Sequence, residues 1–455
     1  MTKSLFNMFP EISAKEWKQK IQADLKGADY NDTLIWQSNE GINVKPFYHH
    51  DTLENISTKT IPNTSWNICQ TIFVQKVDVA NGIAVNALKN GAERIKFIIP
   101  EESVSVEKLL RNIDLKLTIV FFELQFLSED FTKKIQNLGH SENLIILTDI
   151  IGNLARSGNW FSTLNADHQT FTSIVKQSNT FSIDLALYQN AGANMVQQLA
   201  YALAHINEYF NHLNAELTPE EKEKITPVFQ LAVGSNYFFE IAKIRALRLL
   251  HATLASEYGF NSQCHIFVTP TKRNKTIYDY NTNMLRTTTE CMSAILGGAD
   301  TIYNMPYDAI YHKNNEFGDR IARNQLLILK HESHFDQVKN PPEGSYYIET
   351  LTDELAEKGL ALFKDIEANG GFLVQLKEGI IQRKIKESAL KEQAQFDSGK
   401  ITLLGTNKHP NTTDKMASEL ELFPFVKMNS RKTLLQPIIE NRLAESIEQT
   451  RLKTE

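Results

Sequence analysis

Two pairs of polar residues in this 455-residue sequence could do chemistry at the ends of strands. Tyr188 and Gln189 directly follow a short apolar run that ends at Leu187, the pattern of a buried parallel strand opening into a loop. Lys272 and Arg273 follow a second such run and could meet a phosphate. Each pair also has a plainer interpretation, because a loop glutamine commonly bonds backbone and a basic loop pair is commonly solvated.

Histidine and cysteine give little sign of a metal or redox site. His331 and His334 lie about one helical turn apart, but no third ligand follows at a zinc-type spacing, so we predict no metal site. Cys69, Cys264 and Cys291 are scattered and form no CxxC pair. This pattern indicates a reducing compartment.

The composition is that of an ordinary globular protein, with 42% hydrophobic and 22% charged residues. The formal net charge of -6 argues against nucleic acid as a partner, because a phosphate backbone needs a clustered basic surface. No apolar run approaches the roughly 20 residues that span a bilayer, so we expect no membrane partner. The first residues show neither a long apolar core nor an arginine-rich composition. We therefore expect a cytoplasmic protein.

A repeated strand-then-helix rhythm begins near residue 65 and predicts an α/β fold. Eight such units in about 270 residues favour a (β/α)8 TIM-type barrel, and a doubly wound sheet is the alternative that periodicity leaves open. The clearest helix, Asn236–Tyr258, is apolar at three- and four-residue steps and ends at Gly259. The predicted strands are Trp66–Val74, Arg94–Ile99, Leu117–Phe122, Asn143–Ile150, Phe181–Leu187, Pro227–Val233, Cys264–Thr269 and Thr301–Tyr303.

The barrel is predicted to occupy residues 66–345, with an N-terminal extension before it and C-terminal helices after it. Residues 1–65 contain a helix over Ile12–Leu25, with Ser13 as N-cap, and an irregular apolar segment. This arm packs either on the chain's own body or over a partner subunit. Residues 346–400 form helices packed on the barrel. Residues 401–455 form a tail too short for a domain of ordinary size, with solvated helix expected after residue 428.

Several motifs in order resemble the methylmalonyl-CoA mutase family, adenosylcobalamin-dependent isomerases, over residues 181–411. They are YQNAGAN (188–194), FFEIAKIRALRLL (238–250), RIARNQLLILKHES (320–333), PPEGSYYIETLTDELA (341–356), AQFDSGK (394–400) and GTNKHPN (405–411). Three others, DLKGADYNDTL, GINVKPFY and DIIGNLARSGNW, look like the small subunit of that family. The resemblance implies a barrel that, in catalytic chains, is threaded by the pantetheine arm of coenzyme A.

The same resemblance shows what this sequence has changed. Catalytic chains carry a DxHxxG motif whose histidine ligates cobalt, and no such motif occurs in these 455 residues. Their fifth strand ends in a Tyr-His pair, and the matching positions here are Ala186 and Leu187. A leucine cannot donate the hydrogen bond that the family histidine gives to the thioester. On the seventh strand, Val268 and Pro270 stand where the family has arginine and histidine.

These departures predict the small, non-catalytic subunit of a heterodimeric methylmalonyl-CoA mutase, which stabilises the catalytic chain. The holoenzyme would isomerise methylmalonyl-CoA and succinyl-CoA, with the acyl-CoA in the complex and adenosylcobalamin held by the large catalytic partner. We expect no catalytic, cofactor-binding or metal-binding residue in this chain. One alternative is an independent (β/α)8 enzyme acting on an acyl-CoA ester through Lys272, Arg273 and Tyr303. Another is a chaperone-like stabiliser without a permanent complex.

Overall fold

The computed structural model describes residues 8–52, 65–139, 141–427 and 430–455, and it contains a parallel eight-stranded barrel. The strands are β1 (Asn67–Phe73), β2 (Arg94–Ile99), β3 (Ile119–Leu124), β4 (Leu144–Leu147), β5 (Ser182–Asp184), β6 (Val228–Val233), β7 (His265–Pro270) and β8 (Thr301–Ile302). Strands β1 to β4 pair in sequence order, as do β5 to β8, and β8 also pairs with β1. A hydrogen bond from Ser182 N to Thr148 O, at 2.9 Å, joins β5 to the end of β4. The barrel prediction is confirmed.

The predicted fifth strand, Phe181–Leu187, is wrong in its second half. β5 ends at Asp184, whose side chain accepts a hydrogen bond from Ala186 N at 3.1 Å. A short helix, Ala186–Asn190, follows. The apolar run suggested a longer strand because Leu187 is an apolar, buried residue. It is buried as part of this short helix and not as part of a strand.

Helices surround the barrel, and their ends follow local capping signals. Met195–Asn214 begins at Asn194, which forms a capping box with Gln197. Tyr237–Tyr258 ends at Gly259 with φ +71°, as the sequence predicted. The other helices between β1 and residue 332 are Val77–Lys89, Val106–Leu109, Glu129–Gln136, Ile150–Ser157, Leu164–Ser178, Pro219–Lys224, Thr282–Gly297 and Glu316–Leu327, with a π-helical turn at Ile328–Glu332.

The N-terminal segment is exposed at its start and anchored on the rest of the chain further on, where Ile42 is fully buried in the main core and Asn39 Nδ2 donates to Gln395 Oε1 at 3.0 Å. Its first helix, Ala14–Asp24, is capped by Ser13 and contains no buried residue. A short helix, Tyr30–Leu34, leads to a two-residue antiparallel ladder of Trp36–Gln37 with Asn43–Val44, and a 3-10 turn spans His50–Thr52. The rest of the predicted arm, residues 1–7 and 53–64, lies outside the described residues.

Four helices follow the barrel in the described part of the chain. Tyr346–Ala368 packs against both Met195–Asn214 and Tyr237–Tyr258, and it approaches closely because Gly359 has no side chain where Leu199 lies. Two shorter helices follow within the predicted helical region 346–400: Phe372–Lys377 and Ile380–Asp397, separated at Gly379. Glu445–Leu452 is the last helix. No helix among the described residues combines the length and apolar composition needed to cross a bilayer.

Candidate functional site at the barrel axis

The middle of the barrel axis is filled by apolar side chains. Alternate residues of a barrel strand point inward, and here several of those residues are large. The rings of Phe121 and Phe267 meet edge to face with centroids 5.4 Å apart. These two rings belong to a buried apolar cluster, which we call the plug: Cys69, Phe121, Leu147, Val228 and Phe267. These side chains occupy the axis where an elongated ligand would have to pass.

A charged pair lies directly above this plug. Lys96 Nζ is 2.6 Å from Glu123 Oε2 and donates to Gln230 Oε1 at 2.5 Å. The same ammonium lies 4.9 Å from the centroid of the Phe267 ring. Burial opposes ionisation of Glu123, but the adjacent Lys96 outweighs this effect and holds the pKa of the carboxyl below its usual value. The pair therefore presents no net charge to the space above it.

A cavity of about 460 Å³ opens above the pair, at the carboxyl ends of the strands. Ser182 is fully buried, and its Oγ has no hydrogen-bond partner within the described protein. Thr71 Oγ1 is also buried without a partner. The cavity can thus hold a polar ligand or water. Its lining takes at least one polar residue from each strand or strand end: Thr71, Lys96, Glu123, Thr148, Ser182 and Asp184, Gln230, Thr269 and Tyr303.

The two positions that match the family's Tyr-His pair carry no polar side chain. Ala186 lines the cavity, whereas Leu187 is fully buried in the main apolar core. Neither can donate a hydrogen bond to a ligand. The absence of a catalytic residue at this strand end stays a prediction that turnover measurements must test.

Tyr188 belongs to a buried network that the sequence did not reveal. Its hydroxyl lies 3.0 Å from His205 Nδ1, and His205 Nε2 lies 2.9 Å from Asp149 Oδ1. Tyr209 donates to the same Asp149 oxygen at 2.6 Å. Asp149 also caps the helix Ile150–Ser157 through Gly152 N. Burial raises the pKa of Tyr188 well above its usual value, so the hydroxyl stays protonated and the network is structural.

Gln189 is held by a buried ion pair. Its Nε2 donates to Glu240 Oε1 at 3.2 Å, and Lys243 Nζ donates to its Oε1 at 2.9 Å. Lys243 and Glu240 are 2.6 Å apart. Gln189 therefore bridges side chains, not backbone, at the end of β6. These side-chain hydrogen bonds give Gln189 a structural role.

The expectation of a solvated loop is wrong for Arg273. This side chain is buried, and its Nε donates to Glu392 Oε2 at 2.6 Å while Nη1 donates to Asn441 O at 3.0 Å. Both partners come from segments more than 100 residues later, which local sequence could not indicate. Lys272 fits the expectation better, because its side chain is 56% exposed and lies 3.6 Å from Glu440.

The tail also departs from its prediction of solvated helix. Residues 434–443, which we call the strap, run across the carboxyl ends of β4, β5 and β7. In the described part of the tail, helix forms only at Glu445–Leu452. Leu435 and Ile438 are buried. Five strap N–H groups donate at 2.8–3.2 Å to carbonyls of the helices and loops that follow these strands: Leu434 and Leu435 to Gly158, Ile438 to Ala155, Asn441 to Asn190 and Leu443 to Arg273.

The strap contributes one charged side chain to the cavity mouth. Glu440 Oε1 is 3.3 Å from Arg156 Nη1, and Arg156 also pairs with Asp184. Burial opposes ionisation of Glu440, but Lys272 and Arg156 together hold its pKa below the usual value. Glu440 is therefore a carboxylate bound to two cations.

The other residues considered as functional do not form a common site. Lys272 and Tyr303 line the barrel cavity, whereas Arg273 lines a separate cavity of about 430 Å³ beside the 36–40 turn. His331 and His334 are exposed. In the described part of the chain, no three His, Cys, Asp or Glu side chains are grouped so as to hold a metal ion.

Comparison with known proteins places these features in context. The family model "Methylmalonyl-CoA mutase" matches residues 145–452, more than half of the chain. A protein named methylmalonyl-CoA mutase small subunit, from Porphyromonas gingivalis, is 33% identical over 99% of this chain and 78% of its own length.

Two further relatives are named as subunits of the same enzyme. A small subunit from Streptomyces virginiae is 26% identical over 90% of this chain and 73% of its own length. A large subunit from Propionibacterium freudenreichii subsp. shermanii is 32% identical, but over only 51% of this chain and 32% of its own length. Similarity to the proteins named small subunit thus extends along nearly the whole chain.

Proposed function

Because this chain belongs to the methylmalonyl-CoA mutase family, we propose that it is the small, non-catalytic subunit of a heterodimeric mutase. Its role is to bind and stabilise a large catalytic subunit, which holds adenosylcobalamin and acyl-CoA. The holoenzyme isomerises methylmalonyl-CoA and succinyl-CoA. The two relatives named small subunit support this role, since they match 99% and 90% of the chain.

The single observation that carries the non-catalytic role is the filled barrel axis. Phe121 and Phe267 meet on the axis, and the Lys96–Glu123 pair lies on top of them. A pantetheine arm threaded along the barrel would have to displace both layers. Displacing large core side chains costs several kcal/mol, which a substrate would have to supply before any chemistry.

The strand ends above the plug support the same proposal. Catalysis by electrostatic stabilisation needs donors aimed at the reacting oxygen. Ala186 and Leu187 offer none, and Tyr188 is used internally by His205. The strap adds a third obstacle, because it lies across the ends of β4, β5 and β7.

The N-terminal arm is proposed as one contact with the large subunit. Met8, Phe9 and Ile12 are 90%, 71% and 52% exposed, and the following helix buries none of its residues. Large apolar side chains left together in solvent favour a protein partner. A cytoplasmic home remains part of the proposal, since all three cysteines are buried and unpaired.

The decisive experiment is co-expression of this chain with a large chain of the same host that carries DxHxxG. Native mass spectrometry of the purified material should show a one-to-one complex, and mutase turnover should require both chains. A monomer or homodimer that never captures the large chain would overturn the subunit role. Turnover of methylmalonyl-CoA by this chain alone would instead support the alternative, an independent (β/α)8 enzyme acting on an acyl-CoA ester.

A further inference from the structure

The barrel cavity has the size and lining of a small-molecule site, although the proposed subunit role assigns it none. Its volume, about 460 Å³, falls within the roughly 300–1,000 Å³ typical of such sites. The plug closes it on the amino-terminal side and the strap crosses its other end. It therefore suits a compact ligand better than a long one.

The inner wall of the cavity has side-chain hydroxyl groups that can hydrogen-bond to hydroxyl groups of a ligand. Ser182 is fully buried with an Oγ that no described protein group bonds, and Thr71 Oγ1 is in the same condition. A buried polar atom left without a hydrogen-bond partner destabilises the protein. Hydroxyl groups of a ligand would give both atoms a hydrogen-bond partner. The floor adds no net charge, because Lys96 is neutralised by Glu123.

The mouth of the cavity has two cationic side chains that can bind an anionic group. Arg156 and Lys272 have side chains 48% and 56% exposed, and both hold the carboxylate of Glu440. Ion pairs of partly exposed charges are weak, so an anion in the cavity can compete with Glu440, whose side chain is 26% exposed, for these two cations. The two nearby acids repel little, since Asp184 is paired with Arg156 and Asp149 is bonded by His205 and Tyr209.

Displacement of Glu440 does not require the strap to leave. The strap is fixed by backbone bonds from Ile438 to Ala155 O and from Asn441 to Asn190 O, at 2.8 and 3.1 Å. Only the Glu440 side chain has to rotate. We propose that this cavity binds a small hydroxylated organic anion, a sugar phosphate or a sugar acid, whose charged group takes the place of Glu440 on Arg156 and Lys272.

Isothermal titration of the 455-residue chain tests this inference with four probes: glucose 6-phosphate, gluconate, neutral sorbitol and inorganic phosphate. Saturable binding is expected for at least one of the two hydroxylated anions, at least tenfold tighter than for sorbitol or inorganic phosphate. The tighter of the two identifies the anionic group as phosphate or carboxylate. The test does not depend on the large subunit, so its result is separate from that of the subunit proposal.

Variants locate the binding. Glu440→Gln should tighten it at least fivefold by freeing both cations, and Lys272→Met should weaken it at least fivefold. The matched controls, Glu387→Gln and Lys384→Met, alter an exposed pair on the helix Ile380–Asp397 and should change nothing. The proposal would be overturned if neither the native chain nor Glu440→Gln showed saturable binding. Unchanged affinity in Lys272→Met, or equal affinity for inorganic phosphate, would also overturn it.

Discussion

Two buried charges on the helix Tyr237–Tyr258 form structural ion pairs. Arg245 pairs with Glu349 at 2.7 Å, and Arg248 pairs with Asp300 at 2.7 Å. Ionisable groups in a cleft commonly indicate function, but structural ion-pair networks perturb the same groups. Arg245 thus links this helix to the helix Tyr346–Ala368, and Arg248 links it to the residue before β8.

His251 is a buried histidine whose protonation should oppose folding. It is fully buried against Phe210 and Phe229, neither ring nitrogen has a hydrogen-bond partner among the described residues, and burial lowers its pKa to about 4. An unfolded histidine has a pKa of about 6.5. The unfolded state therefore takes up a proton first, and stability should fall as the pH falls from about 6.5 toward about 4. The expected loss at pH 5 is on the order of 1–2 kcal/mol.

Urea unfolding at pH 7.5, 6 and 5 measures this effect. His251→Leu should lower the pH dependence of the free energy of unfolding, whatever it does to the absolute stability. His331→Leu removes an exposed histidine and serves as the control. An equal pH dependence in the native chain and His251→Leu would contradict the prediction.

At the scale of elements, the strap depends on one glycine. Gly158 ends the helix Ile150–Ser157 with φ +80°, and its carbonyl accepts hydrogen bonds from the strap. A Cβ at this position would lie 2.7 Å from Leu435 O. Gly158→Ala should therefore displace the strap and destabilise the protein by more than the roughly 1 kcal/mol of a left-handed alanine alone.

Limited proteolysis and urea unfolding together test the strap. Cleavage within residues 430–455 should become faster in Gly158→Ala. Gly259→Ala is the matched control, because Gly259 has a similar φ of +71° and no atom within 4 Å of the added Cβ. If both variants resist protease equally, the strap does not depend on the Gly158 contact.

The N-terminal arm is the second element with a testable role. Phe9→Glu and Ile12→Glu should each raise the dissociation constant of the heterodimer at least tenfold, because a charge would be buried at the proposed contact. The thermal midpoint of the isolated chain should not change, since both side chains are exposed. Surface plasmon resonance against the large chain gives the dissociation constant. Leu117→Glu, at a residue 83% exposed in the loop before β3, is the control. Unchanged affinity in both arm variants would contradict the proposed contact.

At the scale of the whole molecule, the proposal assigns the cofactor to the partner. Equilibrium dialysis should show no tight binding of adenosylcobalamin to this 455-residue chain, because it contains no DxHxxG motif. The purified complex should bind the cofactor in proportion to its large chain. Tight binding by this chain alone would refute the division of roles between the subunits.

The sequence by itself determined the elements and their order. Period and caps located helices such as Tyr237–Tyr258, and the apolar run at Arg94–Ile99 gave β2 with its observed bounds. These features depend on neighbours a few residues away, so a single sequence contains them. The same local logic failed at β5, where burial of Leu187 by a helix gave the same apolar pattern as a strand.

Only the tertiary structure decided what fills the barrel and what covers it. Phe121 meets Phe267, Arg273 meets Asn441, and Arg156 meets Glu440 across more than 100 residues of chain. No local spacing predicts such pairs, because their energy comes from packing and desolvation after the chain has folded. The same sequence pattern fits both an open barrel and a plugged one, and the difference lies in which side chains converge on the axis.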